Sequence, residues 1–155
     1  MNVLRLFGWF RKTTMLAILL CLAVFPARAE QSKCGAASFE VITENRGHPL
    51  DNRYKLFVHD AKASTKKSLY VSDEGGWFYA ACVEGKNNGY FLLFQSFCGG
   101  TACVEDKYGV VDTEKLKLLL SPNVRNIGNA KAASKLLGKP VPYLPKYVGT
   151  FCCGK

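Results

Sequence analysis

The chain predicts an α+β domain: an antiparallel, meander-like β-sheet of five to seven strands, one C-terminal helix and an extended, disulfide-tied tail. Three observations carry this expectation. Short runs of β-branched and aromatic residues, punctuated by turn residues, fill the first two-thirds of residues 30–155. One segment near the C-terminus, 129–137, has helical periodicity and helix stop signals. Six of the seven cysteines lie downstream of an export-type N-terminus. An even cysteine count in an exported domain points to disulfides rather than reactive thiols or metal ligands.

Residues 1–29 have the layout of a cleaved secretory signal. Arg5, Arg11 and Lys12 form a positive start, residues 13–25 an apolar run, and Ala27-Arg28-Ala29 a small-x-small cleavage pattern after Pro26. The run is short of the roughly 20 apolar residues that span a bilayer. Leu20 before Cys21 departs from the small residue that a lipoprotein signal places there. The expected product is one disulfide-stapled domain, residues 30–155, with no stable membrane insertion after cleavage. Its 17 basic and 12 acidic residues leave a charge of +5. That favours an acidic partner and falls short of the basic stripe of a nucleic-acid binder. No Asn-x-Ser/Thr sequon occurs, which favours a bacterial envelope over a eukaryotic secretory route; the periplasm is expected, ahead of an extracellular location.

The elements follow in order. Residues 38–43 alternate, with Phe39 and Val41 on one face, and 45–49 read as a turn-rich loop. Residues 54–59 and 68–72 read as strands joined by the lysine-bearing loop 62–67, and 73–76 as the next turn. Residues 77–83 and 90–97 are apolar on both faces, with Asn87-Asn88-Gly89 between them. Asn-Gly suits a hairpin turn with positive φ at both central residues. Strands without alternation should be covered on each side, by another sheet layer or by the helix. Residues 108–112 suit a strand. Leu116, Leu118 and Leu120 fit strand-turn-strand better than the short helix that Leu116, Leu119 and Leu120 would suit. In the helix 129–137, Asn129 is the expected N-cap, Gly138 the stop, and Pro140 the block to continuation. Three prolines in 140–145 then force an extended tail.

The six cysteines Cys34, Cys82, Cys98, Cys103, Cys152 and Cys153 allow fifteen pairings. Locality favours Cys98 with Cys103, and would leave Cys34 and Cys82 to join the vicinal pair. The Cys98–Cys103 spacing lacks the Cys-x-x-Cys pattern of a redox site, and no four-ligand zinc set is legible. No cofactor and no metal are expected. Neither a Gly-x-Ser-x-Gly elbow nor a phosphate-binding loop occurs. The adjacent acid pairs Asp73-Glu74 and Glu105-Asp106 make poor convergent dyads, because neighbours on extended backbone point to opposite faces. No catalytic residue is therefore assigned.

A partner-binding face is expected at the crosslinked loop, Gly99, Gly100, Thr101 and Ala102, with Trp77, Tyr79 and Tyr108 beside it and the 140–145 tail alongside. Rigid loops lose less entropy on binding, and large aromatics anchor interfaces. The expected function is a non-enzymatic periplasmic domain that binds another envelope or exported protein. In format it is similar to small disulfide-stapled hydrolase inhibitors and effector immunity proteins; no family motif carries that likeness. The alternatives are a small envelope hydrolase using His59 with a carboxylate, or a module binding anionic envelope polymers through Lys62, Lys66 and Lys67.

Overall fold

The computed structural model describes residues 31–60, 65–72, 76–97, 107–122, 128–145 and 152–153. Residues 1–29, the expected signal, lie outside them, as do Cys98, Cys103, the Gly99–Ala102 loop, Lys62 and both adjacent acid pairs. Among the described residues the protein is mostly β, with two sheets and one short α-helix. The first sheet runs β1 (Ser32–Cys34), β2 (Ala37–Glu44), β3 (Arg53–Asp60) and β4 (Thr65–Val71), each antiparallel to the next. The second joins β5 (Trp77–Glu84), β6 (Tyr90–Phe97), β7 (Tyr108–Asp112) and β8 (Lys117–Leu120) in the same way. A two-residue strand, β9 (Cys152–Cys153), pairs in parallel with the β5 edge. The single expected sheet is thus two.

Alternation explains the division. Tyr54, Leu56 and Val58 on β3 and Phe39 on β2 face inward and meet Phe78, Ala80, Leu92, Phe94 and Val111 of the second sheet. The far face of that sheet packs Ala81, Val83, Leu93 and Val110 against Ala133 and Leu137 of helix α1 (Ala130–Leu137) and Leu144 of the tail. Leu92, Leu93 and Phe94 are consecutive and fully buried, as residues covered on both faces must be. The non-alternating hairpin is therefore central, with a sheet on one side and the helix on the other.

Several local expectations change. The β5–β6 connection is a three-residue turn, Lys86–Asn88, in which only Asn88 takes positive φ, at 58°. Its Asn88 N–H donates to the Gly85 carbonyl at 3.3 Å, and Gly85 N–H to the Gly89 carbonyl at 2.8 Å. That is a type I turn closed by one left-handed residue, not a two-residue turn. Asn129 stands at the N-cap position, yet its side chain makes no cap hydrogen bond. Its Oδ1 accepts from Tyr108 N–H at 2.7 Å, and its Nδ2 donates to the carbonyls of Tyr108 and Ser121. Asn129 thus bridges β7 and the chain after β8. Gly138 ends the helix in the left-handed region at φ 70°. Lys86 N–H of the hairpin tip then satisfies the Leu137 carbonyl at 3.0 Å.

Residues 113–120 are turn then strand, as the Leu116, Leu118, Leu120 pattern suggests. Asp112 makes the turn, accepting N–H bonds from Glu114 and Lys115. Lys66 and Lys67 belong to β4 rather than to a loop. Cys34 bonds Cys82 with Cα atoms 5.3 Å apart, so neither is joined to the vicinal pair. The reason is the sandwich, which lays β1 over β5 and brings both residues to the inner face. This bond closes 48 residues and restricts the unfolded chain by about 4 kcal/mol in the loop-entropy model.

Candidate functional site

Two surfaces gather the chemistry. The first is the outer face of the first sheet. Residues that alternate away from the core on β2, β3 and β4 meet there: Ser38 faces His59 and His59 faces Lys66 across the strands. Glu40, one step diagonal to His59, receives both neighbours. His59 Nε2 lies 3.0 Å from its Oε2 and Lys66 Nζ 2.7 Å from the same atom. Gln31 Nε2 stands 3.4 Å from His59 Nδ1, and Lys66 Nζ lies 4.2 Å from the Phe57 ring centroid. Burial pushes the Glu40 carboxyl up, but the Lys66 and His59 hydrogen bonds outweigh it and hold the group below the ordinary carboxylate value.

A second acid repeats this arrangement at the other end of β2. Glu44 is bracketed by Arg46 at 3.2 Å and Lys55 at 3.5 Å, which lower its pKa. Between the two ion clusters stand Ile42, 37% exposed, and Val71, 44% exposed. His59 is within hydrogen-bond reach of an acid, as the hydrolase alternative requires, and Lys66 shares that acid. His48 is structural, its Nδ1 accepting from Leu50 N–H in a short helical turn.

The second surface is the end of the second sheet that carries Trp77, Tyr79 and Tyr108. Tyr79 and Tyr108 flank Gln95 from either side in the strand register, and Trp77 pairs with Phe97. These three aromatics therefore share one end of one sheet. Tyr79 and Tyr108 also pack on the core beneath the helix. The tail runs along β5, with Ala80 N–H donating to the Pro145 carbonyl and Leu144 buried. Next to Leu144, Tyr143 is 86% exposed.

A half-open pocket of about 360 Å³ lies between the hairpin tip and the helix C-terminus. Lys86, Tyr90, Asp112, Glu114, Lys115 and Lys135 help line it. Asp112 is already committed to its turn. Burial raises its pKa, but the N–H groups of Lys115 and Glu114 outweigh that and leave it below the ordinary value. Among the described residues, no group of three His, Cys, Asp or Glu side chains is placed to hold a metal ion.

The Glu40–His59–Lys66 cluster is the feature that reading the residues misses. Its signal is alternation: Glu40 and His59 both fall out of phase with buried neighbours. Their diagonal contact depends on the β2–β3 register, which the irregular connection 45–52 sets. Comparison with protein-family models, with curated proteins and with solved structures finds no match to this chain, so these two surfaces are the basis of the functional reading.

Proposed function

We propose that this chain is an exported, non-enzymatic domain that binds another envelope or exported protein through the open face of its first sheet. In type it fits hydrolase inhibitors and effector immunity proteins, and the bacterial periplasm is its place of work. One observation carries the reading: Glu40 and Glu44 are each bracketed by two bases, and Lys33 is exposed beside them. The face therefore keeps an excess of positive charge after its internal pairs are counted. Ile42, Phe57 and Val71 add apolar contact between the charged groups. An acidic protein surface complements this arrangement, which favours fast, selective encounter. The Trp77, Tyr79 and Tyr108 end is a second contact region, favoured by the exposure of Tyr143 beside buried Leu144.

The test is affinity capture from an envelope extract, comparing the wild type with Lys33→Glu/Lys55→Glu and with Tyr143→Ala. One stoichiometric, acidic protein should be recovered, with binding that weakens as salt rises. The charge-reversed variant should bind at least about tenfold more weakly, since like charges across an interface cost affinity. Loss in Tyr143→Ala alone moves the contact to the aromatic end. Repeated recovery of no partner overturns the proposal.

A further inference from the structure

We propose that the pocket between the hairpin tip and the helix end is a small-ligand site, for a molecule carrying two carboxylates and one ammonium, as an acidic amino acid does. Three elements wall it: the β5–β6 tip with Lys86 and Tyr90, the β7–β8 turn with Glu114, and the last turn of α1 with Lys135 and Leu136. None of them belongs to the first sheet, whose outer face is the proposed protein contact. Backbone contacts hold the walls in place before any ligand arrives. Lys86 N–H donates to the Leu137 carbonyl at 3.0 Å, which ties the tip to the helix. Gly138 passes so close to the tip that a Cβ there would run into Lys86 Cβ. Thr113 Oγ1 donates to the Tyr90 carbonyl at 2.7 Å, which ties the turn to the tip. A pocket fixed in this way loses little entropy when it is filled. Its volume of about 360 Å³ sits at the lower end of the roughly 300–1,000 Å³ of ligand pockets.

The charges select the ligand. Asp112 is spent within its own turn, where Oδ1 accepts from the N–H groups of Glu114 and Lys115 and Oδ2 lies 3.5 Å from Lys115 Nζ. Among the described residues, Lys86, Lys135 and Glu114 enter no ion pair. Two ammonium groups and one carboxylate therefore remain to meet a ligand. Two carboxylates and one ammonium complement them, through charge-assisted hydrogen bonds that are stronger than neutral ones. The missing side chain at Gly89 leaves the Glu114 carboxylate room beside the tip. Tyr90 and Leu136, both exposed, offer an apolar edge for the ligand's methylene groups.

Titration of the purified, disulfide-bonded protein with L-glutamate, followed by calorimetry and by amide NMR shifts, tests this. Saturable binding is expected with a Kd on the order of 1 mM or tighter, within the energy per atom that small ligands reach. The largest shifts should fall at Lys86, Gly89, Glu114 and Gly138. Glutarate lacks the ammonium and alanine lacks the second carboxylate, so each should bind at least about tenfold more weakly. Lys86→Gln/Lys135→Gln should weaken glutamate by a similar factor. Glu114→Gln should weaken glutamate without weakening glutarate, a split that a merely structural role would not produce. All three side chains are exposed, so the variants should keep the wild-type urea midpoint. Three results overturn the proposal: no saturable binding at glutamate concentrations about tenfold above that Kd, alanine or glutarate binding as tightly as glutamate, or shifts centred on the first sheet.

Discussion

The two sheets of this protein are built from the same antiparallel pattern but stand in different surroundings. The second is buried on both faces, and Phe94 at its centre touches Phe78 and Tyr70 at ring-centroid distances of 5.5 and 5.0 Å. The first is buried on one face and open on the other, where it displays ion pairs and isolated apolar side chains. Substitutions in the second sheet should therefore act on folding, and substitutions on the open face of the first should act on recognition. Few polar groups survive in the doubly covered layer because each would need a buried partner.

The sharpest way to break that contrast is Phe94→Ala. Removing this ring should cost about 3–5 kcal/mol, read as a lower urea midpoint. A cost below about 1 kcal/mol would mean the centre is loosely packed. Gly109→Ala approaches the same ring from β7, because a Cβ there would run into Phe94. Overpacking of this kind costs about 1–3 kcal/mol, and the paired change to a smaller residue at 94 should recover part of it. Asn129→Ala should cost about 1–3 kcal/mol, since it leaves the Tyr108 N–H without its acceptor.

Glu40 is itself buried, but its partners Lys66 and His59 are partly solvated and a Gln amide can still accept from them, so Glu40→Gln should cost about 1 kcal/mol. Its pH dependence carries a definite sign. The folded pKa values of Glu40 and Asp112 lie below ordinary values of 4.5 and 3.8. The stability they contribute is present above those ordinary values and is lost as pH falls through the folded ones. Denaturation midpoints should decline below about pH 4.5, and Glu40→Gln should remove part of that decline. An unchanged acid profile in the variant would show that Glu40 adds nothing to folding.

The elements were largely legible because each is encoded locally. Alternation marks residues 38–43, apolarity on both faces marks 90–97, and Gly138 with Pro140 marks the end of the helix. β1 escaped notice because Ser32–Cys34 is three residues long and has no period to detect. Its turn rests on Gly35 at φ 58°, a single residue rather than a pattern. The Asn129 cap failed for another reason. Its amide finds stronger work in holding the backbone of Tyr108, a contact made only once the helix has docked.

What the sequence determined by itself is where strands and helix lie and which hairpin is central. Those follow from periodicity and turn chemistry, which act over a few residues. Only the tertiary structure decided that the strands divide into two sheets, that Cys34 bonds Cys82, and that Glu40 gathers His59 and Lys66. Each of these depends on register and layer stacking between residues far apart in the chain. Such pairings are chosen by the burial of whole faces, and no local pattern specifies them.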